Sequence, residues 1–161
     1  MKPNHTQNLL PVIRKIHVFQ GLALSEARRL LRLCECRSYE AKRQIYTYGE
    51  PSTEMLILLK GKLVATAQSG RLLGEILPGT CTGEMGVFTG EARSAGVAAA
   101  EDSLGFVIRK PGLDTMLRMD RGMHLKILQN IVAQLCDRLA SLNRRLEYTP
   151  AAGQTAVPAR A

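Results

Sequence analysis

Glycine recurs through the middle of the chain at positions 49, 61, 70, 74, 79, 83, 86, 90 and 96, and short segments of alternating or β-branched apolar residues lie between. This texture sets in at Tyr39 and predicts strands joined by tight turns. MLILLKGKLVATA reads as a hairpin about Gly61, and Gln68-Ser69-Gly70-Arg71 as a turn leading into LLGEIL. SAGVAAA and SLGFVIRK read as a last hairpin with Glu101-Asp102 at its tip. Many short strands with frequent turns point to a barrel or jelly roll, because closure removes unpaired sheet edges.

Helices are predicted on either side. Leu9, Leu10, Ile13, Ile16 and Val18 fall mostly at helical spacing before Gly21, giving an N-terminal helical segment over 1–18. A second helix opens at the N-cap Ser25, with Leu30, Leu31, Leu33 and Cys34 on an apolar face and Arg28, Arg29 and Arg32 toward water, and ends near Arg37. After Pro111 come a short helix over Leu113 to Met119 and a long one from about Gly122 to Tyr148. Along the long helix Leu125, Leu128, Val132, Leu135, Leu139, Leu142 and Leu146 are spaced alternately by three and four residues, a heptad seam that wants a partner helix. Ile127 and Ile131 lie beside that row and could hold the same helix against the barrel, so a single broad face packed within one chain is the alternative. TPAAGQTAVPARA (149–161) reads as a flexible Pro/Ala-rich tail with no effector module after the helix.

The predicted class is therefore α+β: an antiparallel β-barrel or jelly roll over about 39–110, flanked by N-terminal helices and a long C-terminal helix over about 122–148, in one domain spanning 19–148. A chain of 161 residues with 45% hydrophobic content suits one such core.

Charge is uneven. Residues 1–43 carry a net +6, residues 44–117 a net −2 and residues 118–161 a net +4. The basic ends suit either solvated helix faces or an acidic partner. Only 4% of residues are aromatic and none is Trp, which excludes a base-stacking platform for single-stranded nucleic acid. Cys34, Cys36, Cys81 and Cys136 lack zinc-site spacing and read as reduced core thiols. No apolar run has the length of a signal peptide or a spanning helix, which places the chain in the cytoplasm with no membrane insertion.

One stretch carries more than turn chemistry. GEMGVFTGEARSA, from Gly83 to Ala95, sets Glu84 nine residues before Arg93, with Gly86, Gly90 and Ser94 around them. A carboxylate accepts hydrogen bonds from sugar hydroxyls, and a guanidinium offers a planar fork matched to phosphate oxygens. Small residues let the backbone approach, so N–H groups at the start of a helical turn after Glu84 can face an anion. A simple ion bridge holding the loop shut would use the same pair, and the residues alone leave both readings open.

In chain order, FQGLALSEARRLL, IYTYGEPSTEMLILLKGKLVA, LPGTCTGEMGVFTGEARSAGVAA and the long helix resemble the cyclic-nucleotide-binding domain family over roughly Phe19 to Glu147. That family includes catabolite-activator-like regulators, cAMP-dependent kinase regulatory subunits and nucleotide-gated channels. The resemblance implies that Glu84 binds the ribose 2′-hydroxyl and Arg93 the cyclic phosphate, with Ser94 and the Gly86 N–H completing a cradle bounded by Gly83 and Ala95. It places Leu73 and Met85 near base or sugar, and Leu142, Asn143 and Arg138 of the long helix over the base. Ala92 stands where many relatives have Pro. Leu142 and Asn143 stand where some bacterial relatives have hydroxyl residues, which leaves the base identity open.

The implied function is a cyclic-nucleotide sensor, with cAMP as ligand and cGMP or a cyclic dinucleotide as alternatives. It would signal through its long helix to a separate effector protein and form a homodimer along the heptad. A ligand-free dimerisation module with a degenerate pocket is the competing reading. Catalysis is not expected: His5, His17 and His124 all fall in predicted helices or their flanks, so the strands offer no metal set, and no nucleophile arrangement stands out. Sequence-specific DNA binding is not expected either, since no helix-turn-helix pattern follows the long helix.

Overall fold

Met55, Leu56, Ile57 and Leu58 are consecutive and all fully buried, and a strand buried on both faces has to lie between two layers. The computed structural model, which describes residues Ile16–Glu147, supplies both layers. After a 3-10 turn (His17–Phe19) and helix α1 (Leu24–Leu31) come strands β1 (Cys34–Tyr39), β2 (Gln44–Tyr46), β3 (Glu54–Lys60), β4 (Leu63–Thr66), β5 (Leu72–Ile76) and β6 (Cys81–Thr82). Helix α2 (Glu84–Thr89) then leads to β7 (Gly96–Ala99), β8 (Ser103–Arg109), α3 (Lys110–Met119) and α4 (Arg121–Glu147).

The strands form two antiparallel four-stranded sheets, ordered β1-β8-β3-β6 and β2-β7-β4-β5, the jelly-roll arrangement expected from the sequence. Side chains alternate along β3. Leu56 and Leu58 point between the sheets, where they meet Tyr46, Leu63, Ile76, Val97 and Val107. Met55 and Ile57 point outward with Phe106 and Ile108, where Val18, Phe19, Leu30, Leu113, Met123, Ile127 and Ile131 cover them. Each large aliphatic side chain so buried contributes about 1.5–3 kcal/mol. Polar contacts fix the helical layer: Asn130 Nδ2 donates to the carbonyls of Val18 (3.1 Å) and Gln20 (2.7 Å), Lys126 pairs with Glu26 at 2.9 Å, and Asp120 caps α4 by accepting from the Met123 amide at 2.9 Å.

The structure corrects several local expectations. The segments about Gly61 and about Glu101-Asp102 are corners, not hairpins: β3 pairs with β6 and β8, while β4 pairs with β5 and β7. The two corners lie side by side, joined by a 2.8 Å hydrogen bond from the Ala100 amide to the Lys62 carbonyl. The turn over Gln68–Arg71 does join a hairpin, β4 to β5. Helix α1 stops at Leu31, short of Arg37, because the chain from Cys34 to Tyr39 pairs along β8 from Ile108 to Ser103. The earliest predicted helix falls mostly outside the described residues, and its described end is an extended Ile16 entering the 3-10 turn. The tail from 149 onward is also outside them. Cys36 and Cys136 are exposed, so the reading of all four cysteines as core thiols holds only for buried Cys81 and half-buried Cys34. Among the described residues no helix is long and apolar enough to cross a membrane.

Candidate functional site

β6 ends at Thr82, and Gly83 then takes φ +79°, a left-handed conformation that redirects the chain into α2. A Cβ at this position would overlap Arg93 Nη1 and approach the Tyr46 ring. The turn drives the Glu84 side chain inward beneath α4. Helix α2 ends at Gly90, and the chain returns to place Arg93 beside Gly83. Gly86 packs so closely on the Ser52 side chain and the Glu91 carbonyl that a methyl group would collide with both.

Glu84 is 1% exposed. Its Oε1 accepts from Arg138 Nη1 at 2.6 Å, and its Oε2 is buried without a hydrogen-bond partner among the described residues. Burial holds the carboxyl pKa above the usual range, opposed chiefly by the Arg138 charge. Arg138 Nη2 also donates to the Cys81 carbonyl. One turn earlier, the Gln134 amide exchanges hydrogen bonds with the Cys81 main chain at 3.2 Å.

Arg93 is 5% exposed. Nη1 donates to the Gly83 carbonyl (3.2 Å) and Nη2 to the Glu54 carbonyl (2.7 Å), while the guanidinium carbon sits 3.6 Å from the centre of the Tyr46 ring. Arg93 Nε is buried without a hydrogen-bond partner among the described residues, 3.9 Å from Glu50 Oε1. Glu84 and Arg93 therefore form no ion bridge across the loop. Glu84 pairs with α4, and Arg93 is held mainly by main-chain carbonyls.

Both side chains line one cavity of about 280 Å³, near the lower end of the size range for small-molecule sites. Gly83, Met85, Gly86, Ser94, Ala95, Leu73, Arg138 and Leu142 line it too, so the structure gathers the sequence-selected residues with one exception. Asn143 is exposed and lies outside the lining. Arg138, grouped with the base contacts in the sequence reading, donates to Glu84 Oε1 in the structure. Sequence reasoning missed Tyr46, Ser52, Ala65, Gly74, Glu75, Ile76, Thr82, Val97 and Ser141, which complete the wall. Ser52 and Tyr46 arrive from β2 and the segment after it, with no local signal tying them to the glycine-rich stretch. The cavity thus offers the Arg93 guanidinium, a buried Glu84 carboxylate oxygen whose partner oxygen is held by Arg138, and apolar surface from Ala65, Leu73, Ile76, Val97 and Leu142. Such a set suits a small molecule carrying an anionic group, hydroxyls and a flat apolar ring.

The family model described as the cyclic nucleotide-binding domain matches residues 36–120. An NTE family protein of Mycobacterium bovis is 30% identical over 105 residues, covering 65% of this chain but only 18% of that protein. This chain therefore spans less than a fifth of that relative's length. A cyclic nucleotide-binding domain from Methylobacillus flagellatus KT matches with a TM-score of 0.79 at 22% identity, over 94% of this chain and 87% of the other. The regulatory domain of Toxoplasma gondii PKA, crystallised with cAMP, matches with a TM-score of 0.64 at 16% identity, over 72% of this chain and 46% of the other. At these identities the two structural matches establish the fold alone.

Proposed function

The chain belongs to the cyclic nucleotide-binding domain family, and from that premise we propose that it is a non-catalytic sensor of a 3′,5′-cyclic nucleotide, cAMP in the first instance. One observation carries the reading: Glu84 and Arg93 are both buried at one cavity, do not pair with each other, and each keeps a buried polar atom without a partner among the described residues. Buried polar atoms of native structures are nearly always paired, and a ligand with an anionic group and a hydroxyl would pair these two.

In this proposal the cyclic phosphate takes the N–H donors of Arg93, with Ser94 and the Gly86 amide beside it, between Gly83 and Ala95. Glu84 Oε2 accepts from the ribose 2′-hydroxyl. The base lies between Leu73 and Met85 on one side and Leu142 on the other. Asn143 reaches the base only if the end of α4 turns inward. Arg138 joins Glu84 to α4, so a ribose at Glu84 alters the contact that holds the helix. A ligand shifts the position of α4 only by its difference in affinity between two helix positions, and Arg138 supplies such a difference. A partner protein in the cytoplasm would read that position. The exposed row of Leu125, Val132, Leu139 and Leu142 is proposed as the face for a second copy, which analytical ultracentrifugation tests.

Titration calorimetry with cAMP, cGMP and a cyclic dinucleotide tests ligand and base preference together. Arg93→Ala is expected to abolish most cAMP binding while the circular dichroism spectrum stays native. Unchanged affinity in that variant would falsify the phosphate assignment.

A further inference from the structure

We infer that Tyr46 is a positioning residue for Arg93, whose ring face holds the guanidinium in place while leaving its charge available to an anionic ligand. The inference rests on the reading of Arg93 as the phosphate-binding group. Tyr46, the last residue of β2, is 3% exposed, and Arg93, which lies over its ring, is 5% exposed. A cation buried this far needs compensation, and the nature of the compensation decides what it can still bind. A carboxylate in close contact would neutralise it and would have to be displaced by an incoming phosphate. Here the closest acceptors are neutral, the carbonyls of Gly83 and Glu54, and the nearest carboxylate, Glu50, stands 3.9 Å from Nε, beyond hydrogen-bond range. An aromatic face adds electrostatic attraction without adding a negative ion.

Packing defines the stack from both sides. Gly83 closes on the guanidinium and on the ring edge together, and a Cβ there would overlap Nη1 and come within 3.0 Å of Tyr46 Cε2. The Tyr46 hydroxyl makes no hydrogen bond among the described residues, so its contact with Arg93 is through the ring face and not through the oxygen. Removing that hydroxyl should therefore leave the stack intact, whereas removing the ring should not.

Two measurements test this on the full chain. The first is the Nε–Hε signal of Arg93 in a ¹H–¹⁵N spectrum, which the ring face should shift upfield in the wild type and in Tyr46→Phe, and which should move back in Tyr46→Leu. The second is calorimetric titration with cAMP: Tyr46→Phe is expected to bind within about twofold of wild type, and Tyr46→Leu about tenfold more weakly, the scale of a desolvated cation–π contact. A merely structural role would not move the arginine signal and the affinity together while sparing Tyr46→Phe. Should Tyr46→Leu not fold, the wild-type Nε–Hε position alone decides, and an unshifted signal overturns the inference. If the wild type binds cAMP and Tyr46→Leu binds it equally well, the positioning role fails and the sensor reading stands. If the wild type takes up no cyclic nucleotide, the sensor reading fails and the role of Tyr46 falls with it.

Discussion

The two halves of α4 are held to the barrel by different physics. Over residues 121–134 the helix buries Met123, Ile127 and Ile131 against the outward face of β3 and β8, and Asn130 and Lys126 tie it to the segments before and within α1. Beyond half-buried Leu135 the apolar anchor ends: Leu139 and Leu142 are exposed, and Arg138 joins the helix to the barrel by gripping Glu84 and the Cys81 carbonyl. Burial of aliphatic side chains is indifferent to what occupies the cavity, whereas a hydrogen bond to Glu84 is not. The first half is thus part of the domain body, and the second is attached through the group proposed to meet the ribose.

The largest expected effect separates these halves by stability. Ile127→Ala should cost about 2–5 kcal/mol of unfolding free energy, against about 0.5 kcal/mol or less for Leu139→Ala, as read by urea denaturation. Equal costs would mean that the exposed row is covered in solution. A smaller, local effect is expected from Arg138→Ala. Amide exchange over residues 136–144 should speed up by about tenfold, from the loss of a charged hydrogen bond, while residues 123–134 stay protected. Acceleration along the whole helix would erase the distinction between the halves.

The smallest effect is a pH dependence. Because burial raises the Glu84 pKa in the folded state, the unfolded chain loses this proton first, and stability falls as pH rises above the ordinary carboxyl value of 4.5 until Glu84 ionises in the fold. Glu84→Gln lacks this term, so its melting temperature relative to wild type should climb with pH from that point and then level off. A difference that shrinks with rising pH would mean that Arg138 outweighs burial and holds the carboxylate charged.

Much of the site was legible because its two charged groups and the glycines that turn the chain between them lie within Gly83–Ala95. Arg138 was visible only as a residue one turn before Leu142, and its grip on Glu84 depends on how α4 crosses β6, which no local pattern encodes. The jelly-roll class was legible from the rhythm of glycines and short apolar segments, yet the partners of β3 and β7 were not. A glycine between two apolar runs reads alike whether the second run folds back along the first or crosses to the other sheet. The end of α1 failed for a related reason: Leu30, Leu31, Leu33 and Cys34 continue a helical spacing, and pairing with β8 overrides that local preference.

The distribution of thiols makes the helix–barrel relationship measurable without any substitution. Burial pushes the Cys34 thiol up to about 12 and raises that of Cys81 as well, which leaves both as poor nucleophiles toward alkylating reagents at neutral pH. Exposed Cys36 sits on β1 and exposed Cys136 on α4, just past the last buried anchor of the helix. A pair of spin labels or fluorophores attached to the native chain would therefore land one on the barrel and one where the helix passes from its apolar anchor to the stretch tied down through Arg138.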